Sequence, residues 1–337
     1  MPAVRAVAAV ATGFGGPENL ALVETEVGEP GPGQVLLEVR AAGVNPYDAK
    51  SYSGAFGADP ARLPLRLGSE AAGVVLAVGP GAQGPDGAGP AGPVRVGDEV
   101  IAFRIAGAYA ERVLVPVTAV VPKPPGLTWP EAASLMVTGA TAVHALTVVE
   151  PVAGETLLVH GAAGGVGAMV VQLAVARGVR VVGTASPSAH DLVRELGAEP
   201  VAYGAGLADR VRALAPAGVR AAVDTVGTDE ALDVSVELVG DVRRVVTIAG
   251  FARGSELGVV RIGGGPGADP GTAVRDAARL QLVQAARARS CWCPDALPGG
   301  QEVTVLESTR RVSGAVGAAV AFRPSGVQSD VCQRLTR

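Results

Sequence analysis

Between Glu155 and Gly167 the chain reads Glu-Thr-Leu-Leu-Val-His-Gly-Ala-Ala-Gly-Gly-Val-Gly, and the stretch Ala168–Arg177 that follows has helical character. Apolar strand, glycine-rich turn and helix in that order constrain the fold more than any other feature, because they form the opening unit of a doubly wound parallel sheet. Only glycine lets a backbone come close enough for its N–H groups to face phosphate oxygens at a helix N-terminus, where the macrodipole also favours an anion. The turn Ala163, Gly164, Gly165, Val166 and Gly167 is therefore expected to grip a dinucleotide pyrophosphate. In the usual G-x-G-x-x-G spacing the first glycine falls on Ala162, so the match is Ala162-x-Gly164-x-x-Gly167 and draws its weight from the flanking strand and helix.

A second apolar run, Arg180-Val-Val-Gly-Thr-Ala185, ends where an acidic residue would bind a ribose 2′-hydroxyl, roughly 20 residues past the loop. No carboxylate stands in that turn. Thr184, Ser186 and Ser188 occupy it, with His190 and Arg194 just beyond. A 2′-phosphate would meet hydroxyls and positive charge there, which favours NADP(H) over NAD(H).

With 337 residues the chain is long for one compact core, and length suggests about two domains. The formal net charge of −4 argues against nucleic acid as a partner. No apolar run approaches the ~18 residues of a membrane span, and the N-terminus Met1-Pro-Ala-Val-Arg-Ala-Val lacks signal-peptide features. The expected location is the cytoplasm. Residues 1–124 read as short strands at Val4–Val10, Gln34–Val44, Ala72–Val78, Glu99–Ile105 and Ala110–Pro116, an antiparallel barrel-like domain. Within it, Pro80–Pro93 is almost entirely Gly, Pro and Ala and predicts a mobile surface loop. After Lys123-Pro-Pro-Gly126 strands alternate with helices, at Leu157–His160, Val179–Gly183, Pro200–Ala202, Ala221–Asp224 and Arg244–Ala249. That alternation predicts a parallel-sheet domain over 125–262, with part of 263–316 packing back on the first domain.

Several stretches resemble, in order, the motifs of the zinc-free quinone oxidoreductase group of the medium-chain dehydrogenase/reductase superfamily. They are Ala41-Ala-Gly-Val-Asn-Pro-Tyr-Asp48, Leu67-Gly-Ser-Glu-Ala-Ala-Gly-Val-Val75, Val96-Gly-Asp-Glu-Val-Ile-Ala-Phe103, Gly107-Ala-Tyr-Ala-Glu111 and Val159-His-Gly-Ala-Ala-Gly-Gly-Val-Gly167. The resemblance covers about residues 3 to 286. It implies an α/β protein with a GroES-like β-barrel-type catalytic domain, a Rossmann domain, an active-site cleft between them and a homodimer. In zinc-dependent relatives a Cys and a His ligate catalytic zinc at the positions matching Asn45 and Ser69, and four Cys hold a structural zinc; this chain has neither set. Amide and hydroxyl oxygens are poor zinc ligands, so no metal is expected. His144, on a helix, and His160, at the end of a buried strand, read as structural.

Hydride transfer without a Lewis acid needs a substrate that already accepts electrons well, and quinones and α,β-unsaturated carbonyls qualify. Asn45 is the first catalytic candidate by resemblance, with Tyr47 and Lys50 in the same turn as oxyanion or proton donors. Asp48 and Glu70 read as structural ties between loops. The resemblance also implies that Thr138 and Thr141 lie near a nicotinamide and that Tyr203 meets the adenosine phosphate. Expected, then, is an NADPH-dependent, metal-free quinone reductase acting on a small electrophile, with an enoyl or 2-alkenal double-bond reductase, or a non-catalytic NADPH-binding protein, as alternatives. After Ala286 the resemblance stops. Arg287-Ala-Arg-Ser-Cys-Trp-Cys-Pro-Asp295 departs from the pattern, Leu306–Val316 returns to it weakly, and 317–337 is an atypical tail. Cys291 and Cys293, one residue apart and without a second ligand pair, make a poor zinc site, and with Cys332 they complete the three cysteines of the chain.

Overall fold

The computed structural model describes residues 4–81, 89–287 and 318–321. Strands β1 (Val4–Ala11), β2 (Leu20–Val27) and β3 (Gln34–Val44) open the chain, followed by helix α1 (Pro46–Tyr52) and strands β4 (Leu65–Arg66), β5 (Glu70–Val78), β6 (Glu99–Phe103), β7 (Arg112–Pro116) and β8 (Val120–Pro122). Helices α2 (Trp129–Ala133) and α3 (Leu135–Val149) lead into β9 (Thr156–His160), α4 (Gly165–Val175), β10 (Arg180–Thr184), α5 (His190–Glu195), β11 (Glu199–Val201) and α6 (Leu207–Leu214). The remainder runs β12 (Ala221–Asp224), α7 (Asp229–Val239), β13 (Val245–Thr247), α8 (Phe251–Leu257), β14 (Val260–Arg261), α9 (Thr272–Arg287) and β15 (Ala318–Ala321). Two compact units divide the chain, one built on Met1–Val137 with α9 from Leu280 onward and β15, the other on Thr138–Arg279. The division falls inside α3, past the change of sequence character at 124/125.

In the first unit a three-stranded sheet, β2-β1-β4, accompanies a six-stranded one ordered β15-β3-β5-β6-β8, in which β7 also pairs with β3. Every pairing is antiparallel. The long strand β3 meets β7 along Gln34–Glu38 and β15 along Ala41–Val44, so its two ends are covered by different partners. Register slips in the β3–β5 ladder, between Leu36 and Leu37 and between Val39 and Ala41, bend the sheet as bulges do. Gly73 faces this bend: a Cβ there would lie 2.1 Å from the Glu38 carbonyl oxygen, a distance only glycine accommodates. The core beneath gathers Val35, Leu37, Val39, Val75, Val100, Val113 and Val115 from the strands, where residues facing one side alternate, together with Leu67 from a loop. Strand β2 carries little apolar signal in the sequence because its outward residues Glu24 and Glu26 dilute the pattern of an exposed edge strand.

The second unit carries a six-stranded parallel sheet ordered β11-β10-β9-β12-β13-β14. In the order in which its strands occur this is 3-2-1-4-5-6, the arrangement of a Rossmann sheet, whose direction of progression reverses beside the first strand. All five residues of that first strand, β9, are buried, as expected of a strand covered on both faces. Leu158, Val182, Ala222, Leu232 and Val245 meet in the core on one side of it. Helix α4 starts at Gly165, one turn earlier than the apolar periodicity suggests, because Gly164 already has the extended geometry of an N-cap. The edge strand β14, two residues long, has no sequence signal of its own.

No helix among the described residues is long and apolar enough to cross a membrane. Residues 82–88 of the Pro80–Pro93 segment, the three cysteines, Leu306–Val316 and most of the tail lie outside the described residues. Leu158 is fully buried, so Leu158→Ala is expected to destabilise the chain by about 2–5 kcal/mol through lost burial and a residual cavity. Chemical denaturation of both proteins measures this, and a change near zero would mean the sheet is not packed as described.

Candidate functional site

The turn after β9 is keyed to the peptide of Gly161. This residue sits at φ +74°, and a Cβ on it would come within 2.7 Å of the Thr225 and Val226 side chains. Its carbonyl oxygen accepts the Gly164 N–H at 2.9 Å and lies 2.1 Å from where a Gly167 Cβ would stand. The conformational demand thus falls on Gly161, one residue before the position the G-x-G-x-x-G spacing selects. Ala162 is instead fully buried, with its methyl packed toward Gly183 of the neighbouring strand. From Gly165 the helix begins, and its first N–H groups have no intrahelical acceptor. The half-buried surface of Ala163, Gly164, Gly165 and Val166, bare of side chains at the glycines, is a cradle of donors and dipole that fits a pyrophosphate.

Around that turn the expected contacts divide. Thr184 is buried, and its hydroxyl accepts the Gly161 N–H at 3.1 Å while lying 3.4 Å from His160 Nδ1, so it braces the turn from below. Ser186 and Ser188 stand together at the surface, their hydroxyls 3.0 Å apart. Arg194 is exposed on α5, and its guanidinium donates to Asp191 at 2.6 Å, a carboxylate that a bound 2′-phosphate would have to displace from it. His190 half-buries its ring, and its Nε2 atom has no hydrogen-bond partner among the described residues. Tyr203, past β11, is 61% exposed. Thr138 and Thr141 are both buried on α3.

Sequence reasoning did not single out Asp224, which is fully buried at the end of β12. Its carboxylate accepts the Val226 and Gly227 N–H groups at 2.9 Å and the Thr247 hydroxyl at 2.6 Å. Thr247 in turn accepts from the Ala249 and Gly250 N–H groups. The pair closes the loops at the carboxyl ends of β12 and β13, the edge where ligands bind in open α/β sheets. The only advance signal is an acidic residue closing an otherwise apolar strand, Ala221-Ala-Val-Asp224.

In the first unit, the turn from β3 into α1 presents Asn45, Tyr47 and Lys50 differently. Asn45 is buried at the helix start, and its Nδ2 donates to Glu70 Oε1 at 2.9 Å. Glu70 has no exposed surface; its Oε2 accepts the Met136 and Val137 N–H groups at 3.1 and 2.8 Å, an acid held against the amino end of α3. Asp48 accepts the Asn45 N–H at 2.8 Å and the Tyr109 hydroxyl at 2.9 Å. Burial pushes the Glu70 carboxyl up to about 7 and that of Asp48 up to about 6, against the hydrogen bonds that favour the anions. The same burial, with Asp48 alongside, raises Tyr109 well above its ordinary value. Tyr47 is half exposed and tilts its ring against Phe56, the centroids 5.1 Å apart; Lys50 is exposed.

Zinc does not fit this turn. The side chains at the positions in question are an amide already bonded to a carboxylate and the hydroxyl of Ser69, and the described residues include no group of three His, Cys, Asp or Glu able to hold a metal ion. His144 is buried on α3 with Nε2 3.2 Å from Asp269, and burial together with the Arg275 charge lowers its pKa.

Residues 31–125 match the alcohol dehydrogenase GroES-like domain family, and residues 165–264 match the zinc-binding dehydrogenase family. The synaptic vesicle membrane protein VAT-1 homolog of Mus musculus is 37% identical over 226 residues, 65% of this chain and 53% of that protein. A quinone oxidoreductase of Rattus norvegicus is 39% identical over 193 residues, covering 56% of this chain and 55% of its own. A trans-enoyl reductase of Aspergillus terreus is 35% identical over 205 residues, 56% of this chain and 64% of that one. The chain thus spans about half the length of the curated relatives it matches. Among solved structures, a mycobacterial protein complexed with NADPH superposes with a TM-score of 0.76 at 27% identity, covering 94% of this chain and all of that one. A GroES-like unit and a 3-2-1-4-5-6 parallel sheet in one chain define a medium-chain dehydrogenase/reductase. Within that superfamily the chain belongs to the quinone oxidoreductase group.

Two outcomes follow from this geometry. Gly167→Ala sets a methyl against the Gly161 carbonyl and is expected to abolish NADPH binding measured by fluorescence titration; undiminished binding would move the cradle elsewhere. Because folding raises the Glu70 pKa from 4.5 to about 7, the folded chain holds that proton more tightly, and its contribution to stability declines as the pH rises through this window. Glu70→Gln does not titrate, so its stability relative to wild type should improve between about pH 4.5 and 7. Thermal unfolding across that range reads the difference, and a constant gap would contradict the raised pKa.

Proposed function

We propose that the chain is an NADPH-dependent oxidoreductase that reduces a quinone without a metal ion. The observation that carries this reading is a phosphate cradle at Gly161–Gly167, in a chain that also has a candidate catalytic turn whose Asn45 amide is bonded to Glu70. Zinc chemistry has no donor set there, so the acceptor must spread the charge left by hydride over its own conjugated system, as a quinone does. The quinone oxidoreductase relative and the NADPH-bound structural neighbour support the same choice. NADPH supplies the hydride. Gly164, Gly165 and Val166 hold its pyrophosphate, Thr138 and Thr141 border its nicotinamide, and Ser186, Ser188, Arg194 and Tyr203 meet its adenosine phosphate. Thr184 acts through the turn.

Asn45 keeps a second amide N–H beyond the one given to Glu70, and that donor is assigned to the developing oxyanion. Tyr47 and Lys50, with their polar ends at the surface of the same turn, supply the proton. The conjugated enone that the trans-enoyl reductase relative suggests would be reduced by the same steps, and product analysis separates the two: a hydroquinone supports the quinone reading, turnover confined to enones the other. The family likeness also supports a cytoplasmic location and a homodimer, the second of which sedimentation tests directly.

Purified protein is expected to oxidise NADPH with a quinone, followed at the nicotinamide absorbance, and to keep that activity in strong chelators. Loss of activity on chelation with recovery on adding zinc would overturn the metal-free mechanism. NADPH should bind about tenfold more tightly than NADH through charge-assisted contacts to its 2′-phosphate. Asn45→Ala should lower kcat on the order of 10²–10³ while leaving NADPH affinity nearly intact, since a donor to the oxyanion acts mainly in the transition state. An unchanged kcat would pass that role to Tyr47 or Lys50.

A further inference from the structure

We propose that His160 is a positioning residue for the cofactor: as the neutral Nε2–H tautomer it completes one directional hydrogen-bond chain that pins the glycine turn to β10 and α7. The proposal rests on the reading of that turn as the pyrophosphate site. Its direction follows from a single proton. The Ser235 hydroxyl donates to the Ala231 carbonyl at 2.7 Å and has no second hydrogen to give. At 3.0 Å from His160 Nε2 the same oxygen must therefore accept, which places the imidazole proton on Nε2. Nδ1 of an uncharged ring is then an acceptor, and it lies 3.4 Å from the Thr184 hydroxyl. That hydroxyl accepts the Gly161 N–H at 3.1 Å, so its own hydrogen is available to Nδ1.

The chain reads, from donor to acceptor, Gly161 N–H, Thr184 O–H, His160 Nδ1, then His160 Nε2–H, Ser235 O–H, Ala231 C=O. Every link has one donor and one acceptor, and successive links polarise one another. A charged imidazole would present a hydrogen at Nδ1 and leave the Thr184 proton without its acceptor. Burial keeps the ring neutral, holding its pKa down to about 4 although Asp224 and Glu230 pull the other way.

The backbone of the same residue is fixed as well: the His160 carbonyl accepts the Thr225 hydroxyl at 2.7 Å and the Thr225 N–H at 3.2 Å. Both sides of the Gly161 peptide plane region are thereby constrained. Its N–H goes to Thr184, and its carbonyl receives Gly164 and abuts Gly167. Tilting that peptide would redirect the N–H groups of Gly164, Gly165 and Val166 that face the phosphate, so a side chain that never touches the cofactor sets the aim of those that do.

The test uses the full chain. Thr184→Val keeps the shape of the side chain and removes the hydroxyl, Thr184→Ser keeps the hydroxyl, and Ser235→Ala cuts the far end. Thr184→Val is expected to weaken NADPH binding about tenfold, the loss typical of one buried hydrogen bond left unmade. Thr184→Ser should restore affinity, and the loss in the Thr184→Val, Ser235→Ala double variant should fall short of the product of the single losses because both cut one chain. Amide exchange of ligand-free protein gives an independent readout, with Gly161 protected in wild type and exposed in Thr184→Val. Nitrogen NMR of the imidazole should show the proton on Nε2. Unchanged Gly161 exchange and NADPH affinity in Thr184→Val, or in Ser235→Ala if the first variant does not fold, would overturn the proposal, as would a proton on Nδ1. If wild type binds no NADPH, the cofactor reading and the positioning role fail together, whereas loss of Gly161 protection would still locate the pinning.

Discussion

The approach of the Gly161 carbonyl to Gly167 is the constraint on which the second unit is organised. A Cβ at Gly167 would stand 2.1 Å from that oxygen, so the helix can start where it does only because the side chain is a hydrogen atom. With the helix start so placed, its first N–H groups open toward one spot beside β9, at the strand where the 3-2-1-4-5-6 order reverses. Neighbouring strands then serve the same place. Thr184 at the end of β10 supports the turn, Asp224 at the end of β12 closes the next loop, and Thr247 at the end of β13 is bonded to Asp224.

The first unit solves a comparable problem with charge. Glu70 is fully buried and would be costly as an isolated anion, yet three donors converge on it from Asn45, Met136 and Val137. A carboxyl in that setting titrates near neutrality, and the result is a polar cluster that orders the Asn45 turn while excluding a metal-ligand set. Gly43 is part of the same solution: a Cβ there would meet Glu70 and the Ala133 carbonyl oxygen at 2.4 and 2.6 Å. Gly43 and Asn45, two residues of the same motif, thus both abut one buried carboxyl.

Much of this was visible in the residue pattern. The strand, glycine turn and helix at 155–177 and the alternation after Gly126 predict the parallel sheet, and the strands before it predict the antiparallel unit, because period and turn chemistry are local properties. The edge strands β2 and β14 were not visible. One is diluted by outward charges and the other is two residues long, so neither carries an apolar period. Thr184 shows the limit at the site. Spacing places it at the end of the right strand, but register pairs it with His160, and its hydroxyl turns under the loop rather than toward a ribose phosphate.

The sequence by itself determined the architecture, the presence of a glycine-rich turn between strand and helix and the lack of zinc ligands at Asn45 and Ser69, since each depends on residue type and short-range spacing. Tertiary structure alone decided that Gly161 rather than Ala162 carries the left-handed turn, that Asp224 and Glu70 are satisfied buried carboxyls, and that His160 faces Thr184 on one side and Ser235 on the other. These contacts join residues 23 to 75 positions apart, and a hydrogen bond between such residues exists only once the sheet has set their register and the helices have closed over it.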